Sequence, residues 1–324
     1  MNRKKKIALL SFSIKLLILL ITLGYIYKQI FYKSGIEEIR QTYQNSINGQ
    51  YGLFILFIVI ALMLVNWGLE AYKWRLMIAR IENISYIKSL KAIFSGVTIS
   101  LFTPNRVGEY GGRVFYLHPD HRIQAVFITI LSSMSQLLIT IITGMLALVY
   151  FLPKLTIIND YLYYTIIVIT CALLLLLLFF YFNIYLMNIF LLKIRWLWKA
   201  EKYMHVLMSY SFTELLKVFL LSLIRFSVFT IQFYLLLILF KVNIPLFEGI
   251  MVISLSFFIV SAIPTFTLSE LGIRGSVSVY FIGILSSNAI GILTSSFTLW
   301  LINLVIPALF GALLIFKLRL FKQK

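Results

Sequence analysis

The chain has 324 residues, of which 61% are hydrophobic and only 12% are charged, and its formal net charge is +18. Soluble domains average about 45–50% apolar and about 25% charged residues, whereas several apolar runs here reach the roughly 20 residues that span a bilayer. The composition excludes an ordinary soluble protein. Because the basic residues concentrate in short loops and at the termini, we expect membrane lipids, and not nucleic acid, as their partners.

The N-terminal part begins with basic residues 3–6 and an apolar stretch at residues 7–27. No small-residue cleavage site follows, so we expect a retained first transmembrane helix and not a signal peptide. Residues 32–50 carry isoleucine and tyrosine at helical spacing, which predicts a short amphipathic helix on the membrane surface.

A second transmembrane helix is predicted over residues 51–80. Asn66, Glu70 and Lys73 fall on one face of it, at steps of four and three residues. Two interpretations stay open. Either these side chains point into a polar interior, or the helix end is only anchored at the interface by its aromatic and basic residues.

The most unusual stretch is residues 103–113, which contains two arginines, a glutamate, a proline and three glycines in an apolar background. Proline and glycine interrupt helices, and charges at membrane depth are costly and usually face a cavity or a partner. The apolar segments on either side are too short for two full crossings. They predict a re-entrant hairpin that turns near Pro104.

Three long apolar segments follow, at residues 123–152, 161–192 and 211–240, with a basic loop at residues 193–202 between the last two. Each is long enough for a transmembrane helix. The first of them carries Gln136 on a polar face.

The segment at residues 211–240 has a polar stripe. Glu214, Lys217, Arg225 and Gln232 lie within a narrow arc, because steps of seven and eleven residues return to the same helix face. The stripe predicts a helix that faces a polar cavity or, alternatively, an internal ion-pair network that only orders the bundle.

A second interruption, at residues 264–275, again places a glutamate four residues before an arginine, as Glu270 and Arg274. Short apolar segments flank it, so it predicts a second re-entrant hairpin. A last transmembrane helix is expected at residues 289–316.

The expected fold is an all-α polytopic membrane protein with about six transmembrane helices and two re-entrant broken-helix hairpins, in a single domain. Its halves, about residues 7–155 and 160–318, repeat the same order of elements with opposite orientation, as in many transporters. With both termini in the cytoplasm of a bacterial-type plasma membrane, most of the 29 basic residues lie on the cytoplasmic side. The two hairpins then enter from opposite leaflets.

The broken segments have the chemistry of an anion site. A helix break exposes backbone N–H groups and a positive helix end, and arginine binds phosphate through two parallel hydrogen bonds. The glutamates either hold the arginines in place or bind the cationic part of a zwitterionic or aminoacylated headgroup. Alternatively, Glu109–Arg113 and Glu270–Arg274 are simple i,i+4 pairs.

These considerations give two sets of candidates. The predicted headgroup-binding residues are Pro104, Asn105, Arg106, Gly108, Glu109, Gly112, Arg113, Glu270, Gly272 and Arg274. The predicted supporting residues of the polar cavity are Asn66, Glu70, Lys73, Gln136, Glu214, Arg225 and Gln232.

Three parts of the sequence carry a family resemblance: Asn66, Glu70 and Lys73-Trp74-Arg75; Thr103 to Glu109 with Gly112-Arg113; and Pro264 with Gly272-Ile273-Arg274. Over about residues 7–318 the chain resembles the transmembrane, flippase-like family of lysylphosphatidylglycerol synthases. The resemblance implies a helix bundle that binds or translocates lipids. It departs from the family pattern at Gly275, where the family often has an acidic residue.

Bifunctional members of this family carry a separate cytosolic domain that transfers lysine onto phosphatidylglycerol. This sequence has no such segment, so we expect no synthase activity. The expected function is a flippase-like lipid transporter, with a partner enzyme that acts on the same lipid. A membrane enzyme that modifies a lipid-linked substrate and a non-transporting scaffold are the alternatives. We expect no cofactor and no metal, since no metal-ligand motif or nucleotide-binding glycine loop is found.

Overall fold

The computed structural model describes residues 36–101, 103–186, 201–264 and 267–316. The described residues form helices and connecting turns, with no strand among them. The α-helices are α1 (Ile36–Ile47), α2 (Gly52–Ile78), α3 (Tyr86–Ser100), α4 (Gly108–Val114), α5 (Arg122–Leu155), α6 (Asp160–Phe182), α7 (Glu201–Met204), α8 (Phe212–Leu239), α9 (Leu246–Ala262), α10 (Thr267–Ile282), α11 (Ala289–Trp300) and α12 (Ile306–Phe316). A π-helical turn, Leu301–Val305, joins α11 to α12.

Five helical segments of the described chain are long and apolar enough to cross a membrane: Gly52–Ile78, Pro119–Leu155, Asp160–Phe182, Phe212–Leu239 and Ala289–Leu314. They coincide with five of the six predicted crossings, so the all-α polytopic membrane fold is confirmed. The predicted first crossing at residues 7–27 lies outside the described residues, as does most of the predicted basic loop at residues 193–202.

Polar side chains define where several helices begin. Ser85 accepts a hydrogen bond from the Lys88 amide at the start of α3, and Asn288 accepts one from the Gly291 amide at the start of α11. Ser211 and Glu214 form a reciprocal capping box on α8. Such caps satisfy amide groups that have no partner within the helix.

The predicted amphipathic segment is helical as α1, where Tyr43 stacks on Phe240 with ring centroids 5.7 Å apart. The chain forms helix–break–helix units, α3 with α4 and α9 with α10, at the positions of the two predicted hairpins. Their re-entrant course, their entry from opposite leaflets and the inverted symmetry of the two halves stay predictions.

Both breaks are shorter than the sequence predicts. The interruptions expected at residues 103–113 and 264–275 are already helical from Gly108 and from Thr267 onward. A Cβ atom on Gly112 would come within 2.6 Å of the Cα atom of Gly96, so the glycine permits α4 to pack backbone to backbone on α3. Here glycine serves close helix packing inside a membrane protein and does not end the helix.

Candidate functional site

The first break reverses the chain between α3 and α4. Asn105 and Arg106 both have positive φ angles, 51° and 56°, in the left-handed region that side chains other than glycine rarely adopt. Pro104 precedes them and cannot continue the α3 hydrogen-bond pattern. The two left-handed residues turn the chain sharply and place the Arg106 side chain toward α10.

The Gly108 amide at the start of α4 donates to the Thr103 hydroxyl at 2.8 Å. A side chain of the break therefore already caps this amide, and the predicted role of Gly108 in headgroup binding stays a prediction. The arginine side chains remain as candidate anion-binding groups of this segment.

A carboxylate from the second hairpin meets the arginine of the first. Arg106 donates to both oxygens of Glu270 at 2.9 to 3.2 Å, and Arg274 donates to the same carboxylate at 2.7 Å. The Glu270 side chain is only 5% exposed, whereas those of Arg106 and Arg274 are 34% and 20% exposed. The predicted i,i+4 pair Glu270–Arg274 is thus present, and Arg106 extends it across the two breaks.

A second cluster lies around Glu70 on α2. Its carboxylate contacts Arg113 of α4 at 2.9 Å, Lys73 of its own helix at 2.9 Å and Arg225 of α8 at 3.1 Å. Arg113 also pairs with Glu109 through the predicted i,i+4 contact. Arg113 and Lys73 are buried. The polar-interior interpretation of α2 is therefore correct, and the anchoring interpretation is wrong for Glu70 and Lys73.

Arg225 connects this cluster to an open space. Its Nε atom donates to Asn66 at 2.8 Å, and Nη1 lies 3.3 Å from the Gln136 amide oxygen. The guanidinium carbon is 5.5 Å from the centroid of the Trp67 ring, within the range of a cation–π contact. Asn66 in turn donates to Asn303, in the π-helical turn, at 3.2 Å.

The open space is a cavity of about 510 Å³ between the two hairpins, α2, α5, α8 and the α11–α12 segment. Among the residues that the structure describes, its charged lining consists of Arg106, Arg225 and Arg274 with the single carboxylate of Glu270. Rings of α8 and α9 form an aromatic wall of the same cavity. The cavity thus combines cationic groups with an apolar, hydrocarbon-like surface.

The predicted candidates fall into two layers around this cavity. Those that line it are Asn66, Asn105, Arg106, Gln136, Arg225, Glu270 and Arg274. Behind them lie Glu70, Lys73, Glu109 and Arg113, which are connected to the cavity through Arg225. Pro104 shapes the break, Gly112 packs against Gly96, and Gly272 is buried in α10.

Two predicted cavity residues lie elsewhere. Glu214 forms the capping box of α8 and contacts Arg80 at 2.6 Å on an exposed surface. It shares a face with Arg225 but lies eleven residues before it, a rise of about 16 Å along the helix. Gln232 is fully buried and donates to the Val59 carbonyl at 2.8 Å, so it joins α8 to α2 and does not line the cavity.

Sequence reasoning missed Asn303, Trp67 and Trp300, all of which line the cavity. Thr140, which also lines it, shares the polar face on which the sequence places Gln136. An asparagine within an apolar run, four residues before Pro307, was a usable signal for Asn303 because intramembrane polar groups need partners. The two tryptophans carried no such signal, since tryptophan is common at both interfaces and in packed interiors.

The family model described as "Lysylphosphatidylglycerol synthase TM region" matches residues 12–311 of the chain. No curated protein matches it at a significant level.

Proposed function

The chain belongs to the lysylphosphatidylglycerol synthase TM region family, and we propose that it is a flippase-like protein that binds a phospholipid headgroup in its cavity and moves it across the bilayer. The observation that carries this proposal is the convergence of Arg106, Arg225 and Arg274 on one cavity that has a single carboxylate. Arginine binds phosphate oxygens bidentately, and a phosphate between these guanidinium groups would compensate their charge.

The arginines and the aromatic wall of the cavity together suit a lipid. A phosphate fits the arginines, while the glycerol backbone and the first acyl carbons fit the aromatic wall that includes Phe229 and Phe257. We propose a plasma-membrane location with cytoplasmic termini, supported by the skewed distribution of basic residues. In this proposal a separate enzyme makes or consumes the transported lipid.

A reconstitution experiment tests the function. Purified protein in liposomes with a fluorescent phospholipid should expose the inner-leaflet lipid to an external quencher faster than protein-free liposomes do. Arg225→Ala and Arg274→Ala should each slow this exchange roughly tenfold or more, because each removes a charge-assisted contact to the phosphate.

The matched control is Arg80→Ala, which also removes an arginine but from the exposed pair with Glu214. This variant should exchange lipid like the unchanged protein. Equal lipid exchange by all three variants, with unchanged thermal unfolding in detergent, would show that the cavity is not the site of the proposed function.

A further inference from the structure

The two charge clusters at the cavity are not neutral. Around Glu270 there is one carboxylate for two arginines, Arg106 and Arg274. Around Glu70 there are two carboxylates, Glu70 and Glu109, for the three cations Lys73, Arg113 and Arg225. Among the described residues, each cluster thus has one cation in excess.

An excess of positive charge in a low-dielectric region is costly unless an anion compensates it. The exposed parts of Arg106, Arg225 and Arg274 all face the same cavity. The excess positive charge is therefore accessible from the cavity, and it favours a negatively charged ligand.

No carboxylate of the cavity is available for a cationic group. Glu270, the one carboxylate that lines it, accepts from both Arg106 and Arg274 and is 5% exposed. Glu109 and Glu70 are not among the lining residues, and their carboxylates are paired with Arg113 and, for Glu70, also with Lys73 and Arg225. An ammonium group placed here would face guanidinium groups, and like charges in contact are strongly unfavourable.

We propose, on the basis of the proposed function, that the cavity selects an anionic phospholipid headgroup, with a phosphodiester and hydroxyl groups, and rejects an aminoacylated headgroup. Glu270 acts as the specificity-determining residue, because its carboxylate neutralises part of the arginine charge and sets the net charge that the ligand meets. The asparagine and glutamine amides at Asn66, Gln136 and Asn303 offer hydrogen bonds to uncharged hydroxyl groups on the ligand.

The aromatic wall indicates that the phosphate belongs to a lipid and not to a soluble metabolite. Rings such as Phe226, Phe229 and Phe257 line the same cavity as the arginines, and a free phosphate has no apolar group that would contact them. Glycerol phosphate shares the headgroup chemistry without the acyl chains, so it distinguishes the two sources.

Competition binding to the purified full-length protein in detergent tests the selection. The probes are short-chain phosphatidylglycerol, short-chain lysylphosphatidylglycerol and glycerol phosphate, each displacing a fluorescent phosphatidylglycerol. We expect phosphatidylglycerol to bind at least roughly tenfold more tightly than the lysylated lipid and than glycerol phosphate.

Equal or tighter binding of the lysylated lipid would overturn the charge selection and leave the proposed function intact. Equal binding of glycerol phosphate would overturn the lipid source. Displacement by none of the three, with no binding of the fluorescent lipid itself, would overturn both this inference and the proposed function.

The variant Glu270→Gln gives a result of opposite sign for the two ligand classes. Loss of the carboxylate leaves Arg106 and Arg274 without their anion, so affinity for phosphatidylglycerol should rise roughly threefold or more. The same added positive charge should lower affinity for the lysylated lipid. An affinity for phosphatidylglycerol that stays unchanged or falls in this variant would contradict the inference.

The matched control is Glu248→Gln, which removes a carboxylate paired with Lys154 at 2.7 Å, outside the residues that line the cavity. This variant should bind both lipids as the unchanged protein does. Should Glu270→Gln fail to fold, as judged by thermal unfolding, the competition series on the unchanged protein still decides the question.

Discussion

Arg106 and Glu270 stand 164 positions apart in the chain, yet three hydrogen bonds of 2.9 to 3.2 Å join their side chains. Arg106 belongs to the break after α3, and Glu270 to the first turn of α10, directly after the second break. This ion pair is the direct connection between the two hairpins at the cavity. It turns two separate interruptions of the helix pattern into one site.

The first prediction concerns the strength of this connection. Arg106→Gln and Glu270→Gln should each lower the thermal stability of the protein, since the first leaves Glu270 with Arg274 alone and the second leaves both arginines without their carboxylate. In the double variant the losses should not add, with a coupling free energy of about 0.5–3 kcal/mol. Thermal unfolding of the four proteins in one detergent measures this. Strictly additive losses would show that the pair contributes nothing to joining the hairpins.

The second prediction concerns Glu70, which three cations share. Glu70→Gln should destabilise the protein by about 3–5 kcal/mol, because buried cations lose their carboxylate. Replacing Lys73 by methionine in the Glu70→Gln variant should restore part of the lost stability, because it removes a buried positive charge that has lost its carboxylate. Unfolding in detergent again reports the effect. The control is Glu214→Gln, at an exposed ion pair with Arg80, and its free energy of unfolding should fall by about 1 kcal/mol or less.

The third prediction uses two adjacent glycines of α4. Gly112→Ala should destabilise the α3–α4 hairpin by about 1–3 kcal/mol, because its new methyl group would come within 2.6 Å of the Gly96 backbone. Gly111→Ala is the matched control, since a Cβ atom there meets nothing within 4 Å. Alanine should be neutral or stabilise the helix at position 111 by about 0.5–1 kcal/mol. Similar losses in both variants would contradict the close packing of the hairpin.

The fourth prediction concerns pH and the loop after α2. Partial burial raises the pKa of Glu82, but hydrogen bonds from the His118 amide and from Lys88 outweigh it, so its pKa lies below the usual value. The carboxylate accepts from the His118 N–H at 2.8 Å and contacts Lys88 at 3.0 Å. Because the pKa is lowered in the folded protein, this stabilisation is present above the unfolded pKa of about 4.3 and is lost as pH falls through the folded value.

Glu82→Gln should therefore reduce the unfolding temperature at neutral pH, by an amount that corresponds to about 1 kcal/mol. The difference from the unchanged protein should narrow as the pH falls from neutral through the lowered pKa of the native carboxylate, which then becomes protonated. Unfolding scans over this pH range measure it. A difference that stays constant over this range would show that the charge of Glu82 is not involved.

The membrane fold was predictable because bilayer thickness fixes the length of apolar helices, and helices such as α2 and α8 satisfy that length without any tertiary information. The small number of residues in each break was not predictable from the sequence. Gly112 and Gly272 suggest helix interruption from propensity alone, but both lie within helices, where close packing or burial compensates their low helix propensity.

The site was predictable only where its contacts are local. The pairs Glu109–Arg113 and Glu270–Arg274 follow from i,i+4 spacing and are present. The contacts of Arg106 with Glu270 and of Arg113 with Glu70 join distant parts of the chain, and no periodicity specifies them. The error on Glu214 has a related cause, because a helical arc gives the direction of a side chain and says nothing about its depth in the membrane.

The carboxylate of Glu70 also limits how this protein can move. It belongs to α2, and two of its partners belong to α4 and α8, so sliding any one of these helices past the others would break an ion pair of a buried carboxylate. We expect the three helices to travel as one rigid body through a transport cycle. Opening and closing of the lipid path then fall to segments that have no tie to this residue, among them α9 and the π-helical turn.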